Sequence, residues 1–230
     1  MVSIIIPAYN EGRTIGGIVR AVIGHRDVRE VIVVDDGSTD DTAFRANDAG
    51  ARVIRIEENR GKANAMDMGV KEAVSDIVLF LDADVLGFTH EKISTIIDPV
   101  ISKRLEMHVG IIDRPKLVSK KVFYVLPVLS GLRALTKSLW YKVPREHRDG
   151  FKIELALNHA ARKWGKGTGY ELIGGLEHVI KEKKHGLLKG LWFRARMVSQ
   201  ILYISFILYI WQPIKLPFAW LRKAVGLELN

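Results

Sequence analysis

The sequence predicts an α/β fold, a doubly wound and mostly parallel sheet with flanking helices, followed by a C-terminal amphipathic helical tail. Three observations carry that expectation. Uninterrupted apolar runs such as Val31-Ile32-Val33-Val34 are what strands buried on both faces require. Over residues 1–85 such runs alternate with stretches of helical spacing, the order that a parallel sheet with crossover helices imposes. Three of the four early strands end in polar clusters, and open parallel sheets bind ligands beyond the carboxyl ends of their strands.

The elements follow in order. Strands are expected over residues 2–7, 31–35, 51–56 and 77–81, with helices over 14–23, 42–49 and 62–74 between them. Ser38, with Asp41 three residues on, reads as a capping box for the second helix. Residues 86–180 are less regular. They predict a helix over 92–101, a strand over 108–112, helices over 132–140 and 151–161, and a strand or two within 170–179. Gly165, Gly167, Gly169, Gly174 and Gly175 mark turns around the last of these.

Composition narrows the class. With 48% hydrophobic and 27% charged residues the chain is neither disordered, collagen-like nor a polytopic membrane protein. The absence of cysteine excludes a disulfide framework, a thiolate zinc site and a cysteine nucleophile. The opening Val2-Ser3-Ile4-Ile5-Ile6-Pro7 lacks a basic leader, so no signal peptide is expected and the default compartment is cytoplasmic.

The net charge of +9 is unevenly spread. Residues 1–100 carry 11 basic and 17 acidic side chains, residues 101–180 carry 15 and 7, and residues 181–230 carry 9 and 2. An acidic front half and the lack of any RNA- or DNA-binding signature argue against a nucleic-acid partner. The basic end points to anionic lipid or phosphate-bearing partners. Within it, residues 197–214 run for 18 positions without a charge, with Trp192, Tyr203, Tyr209, Trp211 and Trp220 among aliphatics. The readings are an amphipathic element lying on an anionic membrane surface, a helix packed on the domain or on a homodimer partner, and a membrane span. Basic flanks and interspersed aromatics favour the first, with docking through residues 187–223 on the cytoplasmic face.

The strand ends hold the chemistry. Strand one ends in Pro7-Ala8-Tyr9-Asn10-Glu11, strand two in Asp35-Asp36-Gly37-Ser38 and strand four in Asp82-Ala83-Asp84, while Asn59-Arg60-Gly61-Lys62 opens the third helix. In extended backbone Asp82 and Asp84 project the same way, and two hard oxygen donors suit Mg²⁺ or Mn²⁺ held against a diphosphate. Neither the Gly-x-Gly-x-x-Gly of dinucleotide enzymes nor the Gly-x-x-x-x-Gly-Lys-Ser/Thr of P-loops is present. Pro7 and Tyr9 can instead wall a base or ribose.

Together, Ile4-Ile5-Ile6-Pro7-Ala8-Tyr9-Asn10-Glu11, Val33-Val34-Asp35-Asp36-Gly37-Ser38-Thr39-Asp40, Gly61-Lys62-Ala63-Asn64-Ala65 and Leu81-Asp82-Ala83-Asp84 closely resemble family 2 glycosyltransferases of the GT-A fold. The resemblance implies a nucleotide-diphospho-sugar donor and a divalent metal. It assigns Pro7, Ala8, Tyr9, Glu11, Asp35 and Asp36 to the nucleotide and Lys62 to the diphosphate. Asp82 goes to ribose or metal, and Asp84 to the metal and to catalysis. It also divides the chain into a transferase domain over 1–185, with a nucleotide-binding half at 1–85 and an acceptor half at 86–185, and a tail over 186–230.

The second half resembles the family more loosely. Ser130-Gly131-Leu132-Arg133 is similar to a segment of polyprenyl-phosphate sugar transferases and glucosyl-phosphoglycerate synthase-like members whose arginine contacts phosphate. Lys137, one helical turn beyond Arg133, would reach the same anion, unless both lie on a solvated face. Glu154 falls where GT-A enzymes carry an acidic residue beside the acceptor. It is read either as the general base or as a carboxylate favoured by a helix N-terminus. Gly175-Leu176-Glu177-His178-Val179 resembles a late GT-A segment whose histidine can complete the metal shell, so His178 is read either as that ligand or as an ordinary packed or surface histidine. The acceptor expected is lipid-linked or a polyprenyl phosphate, although Val85-Leu86-Gly87-Phe88 departs from the usual sequence after the Asp-x-Asp of such enzymes. A soluble glucosyl-phosphoglycerate synthase-like transferase and a non-catalytic nucleotide-sugar or lipid binder are the alternatives, and stereochemistry stays open.

Overall fold

The computed structural model describes residues 1–112, 130–148, 150, 152–179 and 199. Contacts divide the chain into Met1–Glu182 and Lys183–Asn230, and every described residue except Ser199 lies in the first unit. In chain order the elements are β1 (Val2–Ala8), α1 (Ile15–Val22), β2 (Val28–Asp36), α2 (Thr42–Asp48), β3 (Arg52–Ile56), α3 (Lys62–Glu72) and β4 (Ile77–Phe80). Then come β5 (Val85–Leu86), α4 (His90–Ile101), β6 (Met107–Ile112), β7 (Arg133–Thr136), α5 (Lys137–Lys142), α6 (Lys152–Trp164), β8 (Thr168–Ile173) and β9 (Glu177–His178).

Seven strands form one sheet in the order β3-β2-β1-β4-β7-β6-β8, and β5 pairs with β9 in a small second sheet. β1 runs parallel to β2 and β4, as β2 does to β3 and β6 to β8; β7 alone in the large sheet runs antiparallel to its neighbours. The expected doubly wound, mostly parallel sheet is therefore observed. The expected tail over 186–230, with Trp192, Tyr203, Tyr209, Trp211 and Trp220, lies outside the described residues except for Ser199. No helix among the described residues is long and apolar enough to cross a membrane.

The buried runs explain why these strands are central. All seven residues of β1 are buried. Ile4, Ile6, Val31, Val33, Leu79 and Leu81 join Ile15, Ile18 and Val19 of α1 and Ile93, Ile96 and Ile97 of α4 in one core cluster. Alternating residues Ile5 and Val34 face α3 instead, where Gly69 has no room for a side chain: an added Cβ would clash with Ile5 Cγ2 and stand 3.3 Å from Val34 Cγ2. Each fully buried aliphatic of this kind contributes about 1.5–3 kcal/mol relative to exposure, so the sheet's centre holds its outer elements in place.

Two expectations are corrected. The helix expected over 132–140 is strand β7 followed by α5. Leu132, Leu135 and Leu139 have helical spacing, but residues 133–136 fill the gap between β4 and β6, and the hydrogen bonds of two strand edges outweigh a local preference. The helix begins only where the Thr136 hydroxyl accepts from Leu139 N at 3.3 Å. The capping box at Ser38 and Asp41 does not form. Ser38 Oγ accepts from Asn10 N at 2.9 Å, and Asp40 Oδ1 accepts from Thr42 N at 3.0 Å.

Candidate functional site

The loops after β1, β2 and β3 are laced together by polar side chains. Asn10 adopts a left-handed backbone (φ 54°), which asparagine tolerates, and its Oδ1 accepts from Thr39 N at 2.9 Å. Gly37 (φ 74°) lets the next loop approach: a Cβ there would stand 2.9 Å from Asn59 N. The two oxygens of Asp36 accept from Arg60 N and Gly61 N, each at 2.8 Å, fixing the start of α3. Between these loops and the end of β4 opens a cleft of about 450 Å³. Its lining takes Pro7, Ala8, Tyr9 and Glu11 from the first loop, Asp36, Asn59, Gly61 and Lys62 from the next two, and Asp82, Ala83, Asp84 and His178 from the far side.

Two pairs of polar side chains stand in it. Lys62 Nζ donates to Asp82 Oδ1 at 2.5 Å, with the lysine side chain half exposed. Burial works to lower the Lys62 pKa, but Asp82 at contact and Glu154 beyond it raise it above the ordinary lysine value. Across the cleft His178 Nδ1 lies 3.6 Å from Asp84 Oδ1, both side chains about a third exposed. That neighbourhood follows from the small sheet, in which Val85 pairs with His178. Adjacent ligands on an octahedral ion with bonds of ~2.1 Å stand ~3 Å apart, so this carboxylate and imidazole fit a divalent cation with little movement. Asp82 is engaged by Lys62 instead, and no group of three His, Cys, Asp or Glu ligands is assembled among the described residues. Oxygens from a bound diphosphate and water would complete the shell.

Behind the cleft, Arg133 is wholly buried. Its Nε donates to Ser130 O at 3.0 Å, its Nη2 donates to the same carbonyl, and its Nη1 donates to Glu154 O at 3.4 Å. These bonds hold Gly131 so close that an added Cβ would lie 2.7 Å from both Asp82 Oδ2 and Lys62 Nζ. Burial lowers the Arg133 pKa while Glu154, Tyr170 and Asp82 oppose the change. Glu154 has a buried Oε2 with no hydrogen-bond partner among the described residues. Burial raises its pKa, Arg133 and Lys62 pull it down, and Asp82 adds to the rise.

The fold thus gathers nine of the expected residues in one cleft: Pro7, Ala8, Tyr9, Glu11, Asp36, Lys62, Asp82, Asp84 and His178. Asp35 lies beneath it, fully buried, with Oδ1 accepting from Ser38 N at 3.0 Å and Oδ2 3.6 Å from Arg55 Nε. Arg133 and Lys137 do not meet at one anion. Arg133 pairs with Phe80 at the carboxyl end of β4, whereas Lys137 lies beyond the other end, its Nζ donating to Ala73 O at 2.8 Å. Four residues of strand separate them by ~13 Å, where four residues of helix would have brought them together. Asn59, Gly61 and Ala83 also line the cleft; each lies inside a motif whose charged members alone drew notice.

The profile of "Glycosyl transferase family 2" matches residues 3–161. The chain is similar to 4,4'-diaponeurosporenoate glycosyltransferase of Staphylococcus aureus strain USA300, 37% identical over 101 residues, 42% of this chain and 27% of the relative. The match thus spans about a quarter of that relative's length. Among solved structures, a mycobacterial protein superposes with a TM-score of 0.73 at 25% identity, covering 89% of this chain and 74% of its own. Glucosyl-3-phosphoglycerate synthase from Mycobacterium tuberculosis, in complex with Mn²⁺, UDP-glucose and phosphoglyceric acid, gives 0.73 at 23% identity, covering 89% and 79%.

Proposed function

The chain belongs to glycosyl transferase family 2, and from that membership we propose that it moves a sugar from a nucleotide-diphospho-sugar to a lipid-linked acceptor, polyprenyl phosphate in the first instance. One observation carries the reading: a single cleft at the carboxyl ends of β1, β2 and β4 holds an ammonium, carboxylates and an imidazole, the set a metal-bound diphosphate requires. Tyr9 and Pro7 wall the base, Asp82 and Lys62 face ribose and diphosphate, and Asp84 with His178 holds Mg²⁺ or Mn²⁺. The cation, when bound, neutralises charge on the departing nucleoside diphosphate. Lys62 adds a second positive charge to that group as the bond to the sugar breaks.

Glu154 serves as general base for a hydroxyl acceptor. Its raised pKa and unpartnered oxygen support that role, because a base works best with a pKa near the operating pH. A phosphate acceptor arrives ionised and needs no base. The lipid acceptor is supported by the name of the staphylococcal relative and by the basic, aromatic sequence of residues 181–230. In this reading residues 1–185 are the transferase domain, and residues 186–230 dock it on the cytoplasmic face of an anionic membrane.

The test is release of nucleoside diphosphate from a panel of UDP-, GDP- and TDP-sugars, with Mn²⁺, Mg²⁺ or excess EDTA. Each is run with polyprenyl phosphate in anionic vesicles, with 3-phosphoglycerate, or with no acceptor. Metal-dependent release stimulated by the vesicle-borne acceptor is expected. Stimulation by phosphoglycerate alone overturns the lipid acceptor, and binding without release under every condition overturns the enzyme.

A further inference from the structure

Thr14 stands at the N-cap of α1, where a hydroxyl ordinarily accepts a hydrogen bond from the first turn; here it makes no such bond. Its Oγ1, on a residue 7% exposed, instead donates to Ala83 O at 2.6 Å, 69 positions along the chain, with Glu11 O at 3.1 Å as a weaker second acceptor. Ala83 lies between Asp82 and Asp84, two of the carboxylates that line the cleft. Three successive carbonyls of that turn are fastened: Asp82 O by Val85 N at 3.3 Å, Ala83 O by Thr14, and Asp84 O by Val179 N at 2.8 Å. The outer two fastenings run from backbone to backbone and use no side-chain atom. The middle one depends on a single hydroxyl that forgoes its local use.

We propose that Thr14 is a positioning residue, whose hydroxyl grips the Ala83 carbonyl and thereby sets where the Asp82 and Asp84 carboxylates point. Ala83 O lies in the rigid peptide plane that joins Ala83 to the Asp84 Cα, so holding it fixes the backbone from which Asp84 projects and pins the turn immediately after Asp82. The hydroxyl also ties the loop after β1 to the metal side of the cleft, so the walls for base and diphosphate move as one body. Groups that orient metal ligands from outside the coordination shell typically alter metal affinity by roughly 10–100-fold when removed. The effect on metal rests on the proposed role of Asp84; the fastening of the turn does not.

The experiment compares the full chain with Thr14→Val, which keeps shape and loses the donor, Thr14→Ser, which keeps the donor, and Asp84→Asn. Two quantities are read: hydrogen exchange at the Val85 and Val179 amides without ligand, and the dissociation constant for Mn²⁺ alone. Expected are exchange at least ~10-fold faster and Mn²⁺ binding roughly 10–100-fold weaker in Thr14→Val, with Thr14→Ser near wild type in both. Unchanged exchange in Thr14→Val, or a Thr14→Ser as defective as Thr14→Val, overturns the proposal. Wild-type protein that ignores Mn²⁺ while Thr14→Val still exchanges faster refutes the metal reading and leaves the fastening standing. Should Thr14→Val not fold, Thr14→Ala against Thr14→Ser decides by the same two readouts.

Discussion

A single methyl group is enough to disturb the charges of the cleft. At Gly131 an added Cβ would stand 2.7 Å from Asp82 Oδ2 and from Lys62 Nζ, so Gly131→Ala must part that pair or shift the loop that Arg133 holds. We expect about tenfold weaker donor binding with little loss of melting temperature, because both displaced side chains can move into solvent. Isothermal titration with the nucleoside diphosphate checks it, and wild-type affinity would refute the steric argument. Asp84→Asn removes the anionic ligand proposed for the cation and should lower turnover by ~10²-fold or more in a protein that still folds. Undiminished turnover of the wild type in excess EDTA would remove the reason for that effect. Glu154→Gln should cost ~10²–10⁴-fold in rate with a hydroxyl acceptor and far less with a phosphate, donor affinity being kept in both cases. A parallel loss of affinity and rate would place Glu154 on the donor instead.

At the scale of elements, what the sequence disclosed depended on how far the deciding contacts lay. Strands β1 and β2 were legible because Ile4-Ile5-Ile6 and Val31-Ile32-Val33-Val34 declare burial on two faces without reference to anything distant. So were the polar strand ends, since topology alone puts them on one side of the sheet. β7 was not legible: Arg133–Thr136 is four residues long, and only the two strands it separates make it a strand. The misplacement of Lys137 follows from that one error. Asp36 shows the same limit, since its service to the start of α3 is invisible until the fold brings residues 60 and 61 to it. Two hydrogen bonds to a buried carboxylate should make Asp36→Ala destabilising by about 2–4 kcal/mol, more than a surface change costs. Urea unfolding measures this, and a loss below ~1 kcal/mol would mean that the loop is held by other contacts.

The molecule as a whole should weaken in mild acid. Burial lowers the pKa of His108, whose Nδ1 donates to Ile96 O at 3.1 Å, and burial with Lys163 and Arg162 nearby lowers that of His159. Each imidazole stays neutral in the fold at pH values where the unfolded chain, with an ordinary value of 6.5, already binds a proton. The unfolded state then carries more protons, so stability falls as pH drops below about 6.5 and levels off beneath the folded-state values. Denaturation midpoints at pH 7.5 and 5.5 should differ in that sense, and His108→Gln should flatten the difference; an equal slope in the variant would assign it elsewhere. The antiparallel strand bears also on how the protein is made. β4 leaves the ribosome about fifty residues ahead of β7. At 5–20 residues per second the nascent chain therefore carries the open edge of Ile77-Val78-Leu79-Phe80 for roughly 3–10 s before its partner exists. Translation slowed over that interval lengthens the exposure. A chain released before residue 133 never closes the edge, and such truncated products are where aggregation of this protein should begin.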